Sequence, residues 1–349
     1  MPRHKTLHDA PPPRKRPSRF WLYAPYVVVL AVAGLWSLAW IGVRVEVEEA
    51  MDKTAARLRD AGYVMDWKER RIDGFPFRVD VTLDQPRIAE PSGWGLAAPQ
   101  IKAEAYAYHL DQWIIVAPQG VVLSRPNAGA VAITGQVLRA SYAWLPHSPP
   151  RVSVEGVKLA FTPQPGAKPF FISSAERVGL HLRPADGDKA EFVVQLDGAS
   201  LPLQGLLARI AQNRPIALIC QGTASNVSTL HGHDWPSAVQ AWTAAGGGVD
   251  IGRGQVTAGA AVLAAGQSRL TVGWDGRLRG TLGLDLRQAP GAVQAMAEAN
   301  GIDPTVTRSA MAVAQALSGG QPIAHADVVF QAGVTTFGPV AVGPAPKVY

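Results

Sequence analysis

The sequence predicts a mainly β (β-rich α+β) protein, with large curved antiparallel sheets and a few packing helices, preceded by one N-terminal transmembrane helix. Three observations carry this. Phe20 to Val43 is a run of 24 residues without a charge, and at about 1.5 Å of rise per residue such a helix crosses a hydrocarbon core of about 30 Å. Beyond Tyr63 apolar and polar residues alternate with a period of two, in short runs at roughly ten-residue spacing. Up to Leu196, turn clusters rich in Gly and Pro separate these runs, which predicts antiparallel connections rather than βαβ units.

Residues 1–19 form a basic, proline-rich leader that the composition leaves disordered. Six Lys and Arg stand there against Asp9 alone, a net +5, so that only +1 of the formal +6 falls on the rest of the chain. Positive charge directly before an apolar span is the asymmetry of the positive-inside rule. It predicts a single-pass signal-anchor in the inner (plasma) membrane, with the amino terminus cytoplasmic and the body periplasmic. In the span, Pro25 lies near the first turn, and Trp21, Tyr23, Trp36 and Trp40 are placed for the two interfaces. Ala31-Val32-Ala33 before Gly34 fits a signal peptidase site, but the apolar run continues ten residues beyond it. A retained anchor is therefore expected over a cleaved signal peptide.

Residues 44–62 have helical spacing, with Val47, Ala50, Met51, Thr54, Leu58 and Ala61 on one face and Gly62 placed for a left-handed cap. This predicts an amphipathic stalk that packs on the β-rich body. Residues 63–200 form a first β-rich lobe, with strands expected at Phe77–Leu83, Gln100–Leu110, Gln112–Val116, Val121–Ser124, Val131–Trp144, Val152–Phe161, Phe170–Ser173, Arg177–Leu182 and Glu191–Leu196. Asp73-Gly74 signals a turn before the first of these. Residues 201–349 form a second β-rich lobe with helices at Leu201–Gln212, Trp235–Ala245, Ala289–Asn300 and Pro304–Leu317, and strands at Val249–Val262, Arg269–Leu286 and from His325 onward. Asp234 is a cap for the second helix and Pro236 suits its first turn. Turn-rich stretches followed by small-residue strands recur near Ala97–Tyr108, Ile172–Leu182 and Arg269–Leu286, a sign of duplication.

Composition excludes some functions. No basic face follows residue 43, which argues against nucleic acid as a partner. Cys220 is the sole cysteine, so no internal disulfide forms, and its place after the apolar run Ile216–Ile219 suits a buried small hydrophobe. There is no GxSxG elbow and no cysteine beside a base. Gly252–Gly259, GRGQVTAG, lacks the lysine and spacing of a phosphate loop and is expected as glycine within a strand. His231 and His233 with Asp234 are the best metal candidates, two imidazoles at i and i+2, but no further ligand is evident and a loop capped by Asp234 accounts for them. No catalytic, cofactor-binding or metal residue is assigned, and no cofactor is expected.

Three segments, RRIDGFPFRVDVTLDQPRI (Arg70–Ile88), WGLAAPQIKAEAYAYHLDQWIIVAPQG (Trp94–Gly120) and GVTTFGPVAVGPAPKVY (Gly333–Tyr349), resemble a family of membrane-anchored exported proteins of unknown function found mainly in alphaproteobacteria. More loosely, WDGRLRGTLGLDL (Trp274–Leu286) is similar to passages of the AsmA-like envelope proteins. That likeness implies a β-rich periplasmic body near lipid and transfers no functional residue.

The resulting expectation is a non-enzymatic, membrane-anchored periplasmic protein that binds or organises lipid or another cell-envelope component. Half-apolar strands either close over an ordinary core or leave a groove for an acyl chain, and periodicity does not separate the two. The alternatives are an envelope scaffold that recruits another protein and, last, a metal-dependent hydrolase using His231 and His233.

Overall fold

A computed structural model describes residues 20–144, 149–201, 214–258, 261–287, 323–337 and 340–349. The expected leader, the helix over Leu201–Gln212 beyond its first residue, and the pair over Ala289–Leu317 lie outside these residues.

Span and stalk are one uninterrupted helix, α1 (Phe20–Asp60). It ends as expected: Gly62 adopts φ 86°, Gly62 N–H donates to the Arg59 carbonyl and Tyr63 N–H to the Leu58 carbonyl. The stalk buries Val47 and Ala55, with Met51 and Leu58 half-buried, whereas Ala50 and Thr54 face solvent. The buried stripe is thus displaced from the expected face, because the sheet approaches α1 from the side on which Arg70 grips it. That guanidinium donates to Glu48 at 2.9 Å and to Asp52 at 2.7 Å. The hydrogen bond from Arg70 holds the Asp52 carboxyl below its ordinary range and raises Arg70 in turn.

Among the described residues all strand pairings are antiparallel and form one continuous sheet, as the alternation predicts. Its strands are β1 (Val64–Asp66), β2 (Glu69–Asp73), β3 (Arg78–Asp84), β4 (Arg87–Ala89), β5 (Gly95–Ala97), β6 (Gln100–Tyr106), β7 (His109–Val116), β8 (Val121–Arg125), β9 (Gly129–Thr134), β10 (Val137–Ala143), β11 (Arg151–Pro163), β12 (Ser174–Ala185), β13 (Lys189–Ala199), β14 (Ile216–Ser225), β15 (Val249–Ala258), β16 (Ala261–Ala265), β17 (Ser268–Val272), β18 (Leu278–Arg287), β19 (Ile323–Gln331), β20 (Val334–Phe337) and β21 (Val340–Pro344). The expected Val131–Trp144 strand is two strands, β9 and β10. The expected strand at Phe170–Ser173 is instead the connection before β12, where Phe170 stacks on Phe161 at 5.1 Å.

The sheet forks at β11. One edge pairs with β12 from Val152 to Ala160; the other pairs with β10 through Val157 and with β9 from Ala160. One leaf continues as β10–β7–β6–β3–β2 and the other as β9–β8–β5–β4–β1. At Lys158 the backbone turns left-handed (φ 50°), and Leu159 then lies over Gly156, where a Cβ would stand 2.5 Å from its Cδ1. Leu159 and Phe161 thereby join Val131, Ile172, Ala175 and Ala199 in one core cluster.

Three elements cover parts of the same sheet face. The stalk packs on Ile72, Val79 and Val81. The second leaf brings Val121 and Ile133 against Leu138. Helix α2 (Trp235–Ala244) and the C-terminal Val348 and Tyr349 pack Val239 and Trp242 against Val249, Val272 and Leu278.

Candidate functional site

Residues directly opposite one another in paired strands project to the same side. The register therefore sorts β10–β18 into two faces. The inner face, toward which α1, the second leaf and α2 pack, carries three apolar rows. One is Ala140, Val154, Leu180, Val194, Cys220, Gly254, Ala265 and Leu284. A second is Leu138, Gly156, Val178, Leu196, Leu218, Val256 and Leu263. The third is Tyr142, Val152, Leu182, Phe192 and Gly222. Eight adjacent strands at about 4.8 Å make the first row about 33 Å long, roughly twice the depth of one leaflet's acyl layer.

The covering elements leave the middle of this face open among the described residues. Val152, Val154, Leu182, Phe192, Val194 and Cys220 are half-buried and Leu180 is 42% exposed. Gly222 lets the Phe192 ring lie flat across the neighbouring strand: a Cβ there would meet Phe192 Cζ at 2.7 Å and collide with the Asp250 carbonyl oxygen. Cys220 sits in this apolar lining, and burial pushes its thiol up from the ordinary value. It is the small hydrophobe the sequence suggests, half-buried rather than fully enclosed.

The outer face is polar. Ser153, His181, Val193, Gln221 and Arg253 oppose one another across β11–β15. With Arg151, Arg183, Glu191, Thr223, Asp250 and Arg269 they line a cavity of about 1330 Å³, which Val152, Leu182, Phe192 and Ile251 also border. Arg183 pairs with Glu191 at 2.5 Å and Arg269 with Asp250 at 3.8 Å, while Arg151 and Arg253 have no carboxylate within 4 Å among the described residues. The surplus of guanidinium groups suits anions.

Ser153 Oγ lies 2.7 Å from His181 Nδ1, a serine–histidine contact that sequence reasoning missed because 28 positions separate the two. No described carboxylate bonds the other ring nitrogen, which lies over Gly179 instead. The orienting group that activates a nucleophile–base pair is thus not formed by the described residues.

The histidine candidates are not assembled into a site. His231 Nδ1 lies 3.0 Å from the Ser228 carbonyl oxygen, and His233 is exposed, 3.7 Å from Asp234. Asp234 does what a cap does: its Oδ1 accepts from Ser237 N–H at 2.9 Å, and the Ser237 hydroxyl reciprocates in a capping box. The Ser237 hydroxyl and then the Ser237 N–H hold the Asp234 carboxyl below its ordinary value. Among the described residues no three His, Cys, Asp or Glu side chains are grouped to hold a metal. Gly252–Ala258 lies in β15, with Gly252 as the extra residue of a bulge between Ile251 and Arg253.

The apolar stretch of α1 is long enough to cross a membrane and only 6% of its most apolar window is buried in the protein. No curated protein and no solved structure matches the chain. Residues 40–346, which take in the stalk and the whole described sheet, match the model of a family described as an uncharacterized protein conserved in bacteria (DUF2125), and the chain belongs to that family.

Proposed function

We propose that this protein is a non-enzymatic lipid-binding component of the bacterial cell envelope, anchored in the inner membrane by α1 with its leader cytoplasmic and its body periplasmic. The observation that carries the reading is the half-buried apolar strip centred on Val154, Leu180, Val194 and Cys220, which the described elements leave open. Burial of apolar surface is the main favourable term in binding, at about 0.8 kcal/mol per methylene, so such a strip favours an acyl chain. The basic leader supports the orientation, and the likeness of Trp274–Leu286 to AsmA-like envelope proteins is in keeping with lipid handling.

The test is native mass spectrometry of the full chain in a lipid-free detergent. A mass excess matching phospholipid, or its appearance on adding phospholipid, is expected. A bare polypeptide mass under both conditions overturns the reading and favours a scaffold. A fluorophosphonate probe tests Ser153 alone: no labelling is expected, and adduct formation there would show an activated serine; elemental analysis of protein prepared without chelator tests the metal-dependent alternative at His231 and His233, and no bound metal is expected.

A further inference from the structure

The turn between β2 and β3 reaches back along α1 into the span. Trp36 Nε1 donates to the Pro76 carbonyl and Trp40 Nε1 to the Arg78 carbonyl, both at 2.8 Å. Phe77 lies beside Trp36 with ring centres 6.1 Å apart, and Phe75 meets Trp40 edge-on at 5.5 Å. The β6–β7 turn stands next to it, since Ala107 N–H donates to the Phe77 carbonyl. Its Tyr106 and Tyr108 stack at 5.3 Å. Phe75, Phe77, Tyr106 and Tyr108 are each more than half exposed.

Length decides what these rings face. If both turns stood clear in water, the lipid-covered part of α1 would run only from Phe20 to Leu35, about 24 Å of helix for a hydrocarbon core of about 30 Å. On the side of α1 away from the turns, Leu38 and Ile41 are exposed at the axial level of Trp36 and Trp40, and the first charge is Arg44. The apolar layer therefore has to extend to about Ile41, which takes in the level of the two turns. Just past the rings, Arg78 pairs with Glu104 at 3.2 Å and with the half-buried Asp80 at 3.4 Å, and the exposed Arg78 and Glu104 are placed for the headgroup region.

We infer that the tips of the β2–β3 and β6–β7 hairpins sit in the boundary between headgroups and acyl chains, so that the sheet rests directly on the bilayer. Tyrosine and tryptophan rings, apolar with one polar end, favour that boundary, and the Phe75 and Phe77 rings add apolar surface for the acyl side. The seat also orients the apolar strip. Tyr106 pairs with His109 at the start of β7, and Gln112 of β7 pairs with Ala143 at the end of β10. The Tyr142–Val152 row therefore lies at the membrane-side end of the strands, where an acyl chain enters without crossing open water.

This inference rests on α1 spanning the membrane, and the experiment separates the two. The full chain, in a Cys220→Ala background, is placed in phosphatidylcholine and phosphatidylglycerol vesicles with single spin labels at Leu30→Cys, Phe77→Cys, Tyr108→Cys or Lys168→Cys. Lys168 is exposed in the β11–β12 connection at the far end of the strands. Collision rates with oxygen and with a water-soluble nickel chelate are measured. Labels at 30, 77 and 108 are expected to show several-fold less nickel contact than the label at 168. Nickel contact at 77 and 108 equal to that at 168, with 30 protected, overturns the seat and leaves the anchor standing. A water-exposed label at 30 overturns both. Tyr108, whose ring stands more than half exposed at a turn, keeps the test decisive if Phe77→Cys folds poorly.

Discussion

Leu180→Asp is the most direct challenge to an acyl-binding inner face. Leu180 is the most open side chain of the central apolar row, 42% exposed, between Val154 and Val194. Full burial of a leucine is worth about 1.5–3 kcal/mol, so covering its open part with an acyl chain yields about 1 kcal/mol, and Leu180→Ala is expected to weaken lipid binding about fivefold. A carboxylate there loses its water when the chain docks, at a cost of several kcal/mol, so Leu180→Asp is expected to weaken binding by more than about a hundredfold. Without lipid the same carboxylate stays hydrated, and the fold should lose only about 1–2 kcal/mol. The assay is phospholipid retained per chain by native mass spectrometry and titration with a fluorescent fatty acid, with circular dichroism melts as the fold control. Gln255→Asp, on the polar face of β15 opposite Ile219, is the matched charge and should retain lipid. A folded Leu180→Asp chain that binds like the parent would refute the assignment of the lipid to this face.

Other consequences come from particular contacts. Gly222→Ala drives a methyl toward the Asp250 carbonyl oxygen and the Phe192 ring; a loss of about 1–3 kcal/mol in denaturant unfolding is expected, because the carbonyl belongs to a paired strand. The raised thiol of Cys220 should react with a maleimide more slowly than free cysteine at pH 7.5 and more slowly again with lipid bound; equal rates with and without lipid would separate Cys220 from the binding face. Asp234 has a depressed folded-state value, so the stability its charged cap adds is complete above the unfolded value near pH 3.9 and disappears as pH falls through the lower folded value. Asp234→Asn, a neutral cap, should flatten this acid limb in thermal melts between about pH 5 and 2, and an unchanged slope would place the acid sensitivity elsewhere.

Much of the frame was legible in the chain. The uncharged run at Phe20, the left-handed Gly62 and the Asp234 cap are local signals, and each appears where its chemistry asks for it. The missed strands show why the rest was hidden. β1, β4 and β5 are three residues each, too short to express a period of two, and β14, which begins Ile216-Ala217-Leu218-Ile219, has no clean alternation. Phe170-Phe171-Ile172 carries the composition of a strand but serves as a plug, with Ile172 in the core cluster. The site was less legible still. Alternation marks an apolar side on each strand, yet the rows exist only once the register aligns Val154, Leu180, Val194 and Cys220. Which part stays open depends on where α1, the second leaf and α2 come to rest, a matter of long-range packing.

The absence of a break in α1 has a mechanical outcome. Forty-one residues run from span to sheet, with Trp36, Trp40 and Arg70 lashing the first hairpin to them. With α1 spanning a membrane as proposed, the helix acts as a mast whose tilt is the tilt of the sheet, where a flexible tether would let the domain tumble. The sheet can spin about the mast and drift with it, but it cannot lean out toward a distant surface.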